Sequence, residues 1–177
     1  AVNNVLGIPE KDFIRECSGS YLLKKYSIPG NTCEGYLFPD TYLFTKGVNA
    51  ETVVNTMLER FFSQFPKNSF VENKTGFSMK EYIILASIIE KEAVVDNERP
   101  VIAGIFYNRL EKGMHLQSCA TVLYAMGETG GRVITYTECE FDSPYNTYKY
   151  PGLPPMPICS PGRESIEASL NPDENEY

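Results

Sequence analysis

One stretch of the chain decides the fold, residues 78–93, whose sequence is Ser78-Met79-Lys80-Glu81-Tyr82-Ile83-Ile84-Leu85-Ala86-Ser87-Ile88-Ile89-Glu90-Lys91-Glu92-Ala93. Its first four residues form a capping box, in which the Ser78 hydroxyl accepts a hydrogen bond from the Glu81 amide and the Glu81 carboxylate reaches back. The apolar run that follows is interrupted only by Ser87 and is far shorter than the roughly 20 residues of a transmembrane helix. The sequence therefore predicts a buried helix over residues 78–93.

Further helices are predicted on both sides of this stretch. Asn49 can cap a helix that Pro66 ends, and Pro100 is tolerated in the first turn of another helix, which Gly113 ends. The predicted helices cover residues 9–17, 21–26, 49–65, 98–112, 120–126 and 163–169.

Two segments depart from the helical pattern. Residues 35–44 are aromatic and β-branched and contain the turn signal Pro39-Asp40, which predicts two short strands. Residues 130–161 carry six prolines, which predicts a long ordered loop that forms part of a site. We therefore expect an α+β fold, with several helices packed around a small, mostly antiparallel sheet.

Composition excludes several classes of function. Of the 177 residues, 42% are hydrophobic and 22% are charged, as in a folded domain, and the formal net charge of −7 argues against a nucleic-acid interface. The five cysteines form no Cys-x-x-Cys pair and His115 is the single histidine, so we expect neither a metal site nor a His-based nucleophile. No phosphate-binding glycine pattern is present. No cofactor is therefore expected, and carboxylate chemistry remains.

Glu34 precedes the aromatic segment, and Asp40 lies in the Pro-Asp turn within it. A Glu34 carboxyl group beside these rings would lose hydration, and desolvation favours the protonated form that a general acid needs. From the residues alone, however, a structural role for Glu34 in capping a turn is the stronger interpretation. Asp40 is expected to form the turn.

Glu90 and Glu92 lie late in the predicted central helix. Helical spacing places Glu90 on the apolar stripe, where a buried carboxylate must be paired. Its partner is either a Lys or Arg from a neighbouring helix, such as Arg99 or Arg109, or a second carboxyl group at a site. Glu92 has the same two interpretations.

Four blocks of sequence stand out in combination. They are Glu34-Gly35-Tyr36-Leu37-Phe38-Pro39-Asp40-Thr41-Tyr42; Ala86-Ser87-Ile88-Ile89-Glu90-Lys91-Glu92-Ala93; Phe106-Tyr107-Asn108-Arg109-Leu110 with Gly113-Met114 and Leu116-Gln117-Ser118; and Ser143-Pro144-Tyr145-Asn146-Thr147-Tyr148 through Gly152-Leu153-Pro154-Pro155 to Ser160-Pro161-Gly162. In this order they resemble the endolytic murein transglycosylases, the YceG-like family also called MltG. The resemblance extends over residues 33–172.

The resemblance implies a bacterial enzyme that cuts nascent peptidoglycan between MurNAc and GlcNAc and leaves 1,6-anhydro-MurNAc ends. Glu34 matches the family's catalytic Glu, which serves as acid and then as base. By chemistry and membership of the blocks, further residues are candidates for binding the glycan. They are Tyr36, Asp40, Tyr42, Glu90, Gln117, Asn146 and Tyr148, with Tyr145 as a further flat surface. A role in holding the Pro-rich loop by hydrogen bonds is the alternative for Glu90, Gln117, Asn146 and Tyr148.

The same resemblance predicts the organisation and surroundings of the protein. Residues 1–32 are expected to be a helical lead-in, and residues 33–177 a catalytic domain that stops short of the family's usual C-terminal end. The expected location is the extracytoplasmic face of the cytoplasmic membrane, with an anchor upstream of this chain. Peptidoglycan strands and a cell-wall synthase complex are the expected partners.

The chain departs from the family's sequence pattern at one position, and two other functions remain as alternatives. The family commonly has an acidic residue and Pro where this chain has Cys119-Ala120, so a carboxylate role at that position is not expected here. A hydrolytic muramidase would need a second carboxylate such as Glu90 near the cleaved bond. A non-catalytic, glycan-binding scaffold would instead have Glu34 buried in a salt bridge.

Overall fold

The computed structural model describes residues 5–71, 76–128 and 131–174, and this part of the chain consists of helices joined by turns and loops. The α-helices are α1 (Glu10–Cys17), α2 (Ser20–Tyr26), α3 (Ala50–Gln64), α4 (Met79–Glu92), α5 (Arg99–Glu111), α6 (Cys119–Ala125), α7 (Tyr136–Cys139) and α8 (Arg163–Leu170). Two 3-10 helices, Lys67–Phe70 and Asp96–Glu98, precede α4 and α5. Among the described helices, none is long and apolar enough to cross a membrane.

Helix α4 lies at the centre of the fold, as its sequence predicts. Both hydrogen bonds of the capping box are present: Ser78 Oγ accepts from the Glu81 amide, and Glu81 Oε2 accepts from the Ser78 amide. Residues 82–89 are all buried. Helices α5, α6 and α8 pack around α4. Because α4 is covered on several sides, its C-terminal end, which carries Glu90 and Glu92, is held rigidly.

Helix α3 supplies the aromatic side of the core. Asn49 caps it by accepting from the Thr52 amide at 2.8 Å, as predicted. The Phe61 ring contacts Tyr36 edge-on, with centroids 5.3 Å apart, and the Phe65 ring lies 6.2 Å from Phe38. The segment that follows Glu34 is therefore anchored on α3 by its aromatic side chains.

The predicted sheet is wrong, because the described residues form no strand and the fold is all-helical there. Residues 35–44 start in a turn at Gly35, whose φ is +91°, and continue as chain without a partner strand. Pro39 removes an amide donor, and the described part of the chain offers no second β-rich segment for pairing. Aromatic residues such as Tyr36 and Phe38 suit a strand, but here their rings pack against α3.

The first two helices share the main core with the rest of the domain. Cys17, Leu22 and Leu23 lie in the same buried cluster as the side chains of α3 and α4. The Cys33 amide donates to the Cys17 carbonyl at 2.8 Å, which joins the end of α1 to the segment of Glu34. The domain boundary between residues 32 and 33 stays a prediction.

All seven helices predicted from the sequence, α1 to α6 and α8, are confirmed to within one residue at each end. The described part of the Pro-rich segment, residues 131–161, is mostly loop, as predicted, but it contains the short helix α7. A capping box of Thr135 and Glu138 opens α7, a signal that is visible in the sequence. The loop is tied to the core where the Ile158 amide donates to the hydroxyl of buried Ser87 at 3.0 Å.

Candidate active site

A cavity of about 680 Å³ opens where α4 ends, and Glu34 lines it. Its walls come from the end of α4, from one side of α6, from the segment after α6 and from the Pro-rich loop. The lining residues are Glu34, Glu90, Lys91, Glu92, Cys119, Ala120, Leu123, Tyr124, Glu128, Gly131, Arg132, Val133, Ile158 and Cys159. A cavity of this size is large enough for sugar residues.

Close packing around the next residue fixes the backbone at Glu34. A Cβ atom on Gly35 would lie 2.5 Å from Pro157 and 2.9 Å from Ile83, and its φ of +91° is a conformation that side chains disfavour. The Gly35 amide donates to Ser160 Oγ at 3.3 Å. A glycine is therefore required here, and it lets the Pro-rich loop approach Glu34 closely.

The Glu34 side chain is half-buried, and Tyr124 of α6 is its partner. The Tyr124 hydroxyl donates to Glu34 Oε2 at 2.7 Å. Burial, followed by the interaction with Glu34, raises the pKa of the Tyr124 phenol, so the phenol stays a neutral donor at physiological pH. Within the described residues no Lys, Arg or His forms a salt bridge with Glu34. The salt-bridged arrangement expected of a scaffold protein is therefore not found there.

Glu90 joins α4 to the start of α8. Its Oε2 atom accepts from Ser165 Oγ at 2.6 Å and from the Gly162 amide at 3.2 Å. The Arg99 guanidinium lies 3.6 Å from the same oxygen and is itself largely buried, with a side chain 13% exposed. Of the two alternatives left open for Glu90, the structure shows the basic partner, which is Arg99. Although Glu90 lines the cavity, this oxygen is occupied by protein groups.

Glu92 faces the cavity from the last turn of α4. The Ser118 hydroxyl donates to Glu92 Oε1, and the Ser118 amide donates to Thr147 Oγ1 at 3.0 Å. The next residue, Cys119, has its sulfur 3.2 Å from the Tyr148 hydroxyl. These contacts bring blocks from three parts of the sequence to one wall of the cavity.

The other predicted binding residues do not line this cavity. Tyr36 is fully buried, and its hydroxyl is the one buried side-chain polar atom without a hydrogen-bond partner in the described residues. Asp40 and Tyr42 border a separate groove beside α3, where Asp40 pairs with Arg60 at 2.7 Å. The cavity therefore includes only Glu34 and Glu90 of the predicted set.

Asn146, Gln117 and Tyr148 lie in or beside the Pro-rich loop. Asn146 is buried, and its amide group donates to the carbonyls of Cys139 and Phe141 and accepts from the Tyr148 amide. The exposed Gln117 has a φ of +54°, and its backbone amide donates to the Thr147 carbonyl at 3.0 Å. Asn146 is thus fully occupied in holding the loop, whereas Tyr148 reaches the cavity wall through its contact with the Cys119 sulfur.

Two features of the site are not apparent from the sequence analysis. Tyr124 carries no signal that distinguishes it from the other tyrosines, because its role depends on where α6 lies. Arg132 lines the cavity and bonds both Glu128, at 2.8 Å, and Glu138, at 2.7 Å. The capping box at Thr135 could have indicated Glu138 as an ordered carboxylate. Nowhere in residues 5–71, 76–128 and 131–174 do three or more His, Cys, Asp or Glu side chains form a group that could hold a metal ion.

Two proteins with similar sequences are named endolytic murein transglycosylases. One from Bacillus subtilis (strain 168) is 44% identical over 151 residues, which is 81% of this chain and 40% of the relative. One from Streptococcus pneumoniae serotype 2 (strain D39 / NCTC 7466) is 34% identical over 175 residues, which is 93% of this chain and 32% of the relative. The chain thus spans from about a third to two fifths of the length of these relatives.

A solved structure has the same fold. The crystal structure of a yceG-like protein from Listeria monocytogenes is similar with a TM-score of 0.87 and 35% sequence identity, covering 99% of this chain and 62% of that one. The model of the YceG-like family matches residues 5–177. With nearly the whole sequence matched and the same fold in a relative, this chain belongs to the YceG-like family.

Proposed function

We propose that this chain is an endolytic lytic transglycosylase of peptidoglycan. It cleaves the β-1,4 bond between MurNAc and GlcNAc in nascent glycan strands and leaves 1,6-anhydro-MurNAc ends. The names of the similar proteins from Bacillus subtilis and Streptococcus pneumoniae support the substrate and the reaction class. The position of Glu34 supports the choice of the reacting group.

Glu34 acts as acid and then as base. Its protonated carboxyl gives a proton to the glycosidic oxygen, and the bond from that oxygen to MurNAc C1 breaks, which releases GlcNAc O4 as a hydroxyl. The MurNAc C6 hydroxyl attacks C1 and loses its proton to the Glu34 carboxylate. One carboxyl group therefore suffices, no water is consumed, and Glu34 is protonated again at the end.

The environment of the Glu34 carboxyl group is the main support for this role. Its carboxyl group is half-buried in a cavity wall and bonded by the neutral phenol of Tyr124 at 2.7 Å. A lysine or arginine beside Glu34 would hold the carboxylate in its charged form and oppose proton donation. The Tyr124 phenol orients the Glu34 carboxyl group without placing a positive charge beside it.

The hydrolytic alternative requires a second carboxylate on the opposite side of the bond. Glu90 and Glu92 line the same cavity. Glu90, however, is held by Arg99 and Ser165, and Glu92 by Ser118. These contacts favour a role for both carboxylates in building the cavity wall over activation of water.

The glycan-binding assignments are part of this proposal. Glu90 is the one of them that lines the cavity, and Tyr148 reaches the cavity wall through the contact of its hydroxyl with the Cys119 sulfur. Asp40 and Tyr42 would contact the strand only where it continues beyond the cavity to the groove beside α3. We also place the activity at the extracytoplasmic face of the membrane, in company with a membrane anchor and a cell-wall synthase complex.

Mass spectrometry of the cleavage products tests the proposal. The chain is incubated with uncrosslinked glycan strands, beside Glu34→Gln and the matched control Glu167→Gln, whose carboxylate is exposed in a pair with Arg163. Anhydro-MurNAc ends are expected from the wild type and the control but not from Glu34→Gln. Reducing MurNAc ends would indicate the muramidase. A folded chain that binds glycan but cleaves nothing would indicate the scaffold protein.

A further inference from the structure

The two carboxylate oxygens of Glu34 have different surroundings. Oε2 accepts the hydrogen bond of the Tyr124 hydroxyl at 2.7 Å. Within the described residues, no hydrogen bond or ion pair reaches Oε1. Glu34 and Tyr124 both line the cavity, so the free oxygen belongs to a group that substrate can approach.

Tyr124 is itself fixed from two sides. It belongs to α6, in which Thr121, Val122 and Leu123 are buried and set the helix against the core. Its ring packs on Tyr145 of the Pro-rich loop, with centroids 4.9 Å apart. Burial raises the pKa of Tyr145 as it does that of Tyr124, so both phenols remain protonated. A rigid neutral donor therefore meets the Glu34 carboxyl at a fixed point.

We propose that Tyr124 is a positioning residue that holds Glu34 Oε2 so that Oε1 is the oxygen that exchanges the proton with substrate. The inference rests on the proposed function and adds an assignment of the reacting atom. A catalytic acid or base is effective only when it is oriented, and a third group commonly supplies that orientation. With Oε2 held, the planar carboxyl group can rotate little about its last bond, and Oε1 keeps one direction toward the cavity.

Removal of the hydroxyl should affect the chemical step more than substrate binding. In Tyr124→Phe the ring keeps its packing on Tyr145, but the Glu34 carboxyl group loses the one hydrogen bond that it accepts within the described residues. A misplacement of about 1 Å at a reacting group can cost about a hundredfold in rate. We expect kcat to fall by about tenfold to a hundredfold, and KM to change by less than about twofold, because the hydroxyl already donates its hydrogen bond to Glu34.

The matched control is Tyr150→Phe. Tyr150 is 42% exposed, and its hydroxyl donates to Asp142 at 2.7 Å, away from the cavity lining. Release of anhydro ends is measured as a function of strand concentration for the wild type and both variants, with far-UV circular dichroism to show that each is folded. The inference is overturned by a Tyr124→Phe enzyme with unchanged kcat, or by one in which KM alone rises.

A spectroscopic signature tests the contact without any need for activity. The ¹³C resonance of the Glu34 side-chain carboxyl, assigned by its loss in Glu34→Gln, should move in Tyr124→Phe and stay in place in Tyr150→Phe. The phenol resonance of Tyr124 should move in Glu34→Gln, which tests the contact from the other side. An unmoved Glu34 resonance refutes the positioning role. Absence of anhydro ends from the wild type, with both resonances shifting as expected, would instead refute the proposed function and leave the contact established.

Discussion

Replacement of Glu90 by glutamine should weaken the connection between α4 and α8 without changing the chemistry at Glu34. Glutamine keeps the size of the side chain and one acceptor oxygen but removes the charge. Two hydrogen bonds, from Ser165 and from the Gly162 amide, then become neutral, and the Arg99 guanidinium loses the less exposed of its two counter-charges, keeping only Asp96. The effect should therefore appear first as a loss of stability.

The size of that loss follows from the geometry. A hydrogen bond to a charged group contributes about 1 kcal/mol more than a neutral one, so the two bonds lose about 2 kcal/mol. The ion pair at 3.6 Å adds less than a fully buried pair, because the Glu90 side chain is 31% exposed and Arg99 keeps a contact with Asp96. We expect a total of about 2–3 kcal/mol, which lowers the Tm of a domain of this size by about 5–10 °C.

Urea and thermal unfolding, followed by far-UV circular dichroism, measure this loss. The matched control is Glu167→Gln, since Glu167 and Arg163 form an exposed pair on α8 with side chains 53% and 42% exposed. An exposed pair of this kind should contribute less than about 0.5 kcal/mol. A Glu90→Gln chain as stable as the control would refute the reasoning. Loss of all cleavage with unchanged stability would also refute it and would favour Glu90 as a second catalytic carboxylate.

Two further predictions concern titrating groups. A hydrogen bond from Arg132 is the main cause that lowers the pKa of Glu138 from its usual 4.5 to about 2, so this contact supports the fold above about pH 4.5 and is lost as the pH falls through 2. In Arg132→Gln, NMR titration should show the pKa of Glu138 rising toward its usual value, and an unchanged value would contradict the assignment. At pH 8, iodoacetamide should label at most two thiols in the folded chain, because burial raises the pKa of three cysteines to about 11 or 12 and leaves less than about one thiol in a thousand ionised. The three are Cys17, Cys33 and Cys159. Peptide mapping should find them labelled only in denaturant. Labelling of any of them in the folded chain would contradict the prediction.

The comparison of α4 with residues 35–44 shows where sequence patterns are sufficient. The capping box of Ser78 and Glu81 and the long apolar run specify α4 through contacts between near neighbours, so the helix is predicted correctly. Residues 35–44 have a composition typical of strands, but a strand requires a partner from elsewhere in the chain. Side-chain packing on Phe61 and Phe65 of α3 takes the place of that partner. Local composition cannot reveal such a replacement.

The residues of the candidate site also differ in whether a local sequence pattern reveals them. Glu34 is a candidate because of its block of sequence, and for Glu90 helical spacing and the cost of burying a charge predict a partner but leave open whether it is a basic side chain or a second carboxyl group. Tyr124 is 90 residues from Glu34 in the chain, and no local pattern connects them. Tyr36 and Asn146 have suitable chemistry for binding sugars, but burial commits both to the protein interior.

The sequence by itself determined seven of the described helices, their ends to within one residue, and the family, because each depends on neighbouring residues or on ordered blocks of residues. Only the tertiary structure decided that the fold is helical in its described part, that Glu34 faces the cavity beside Glu90 and Glu92, and that Tyr124 is the group bonded to Glu34. These properties depend on how α4, α6 and the Pro-rich loop pack together. Contacts between residues far apart in the chain are set by that packing, and local sequence patterns do not encode them one by one.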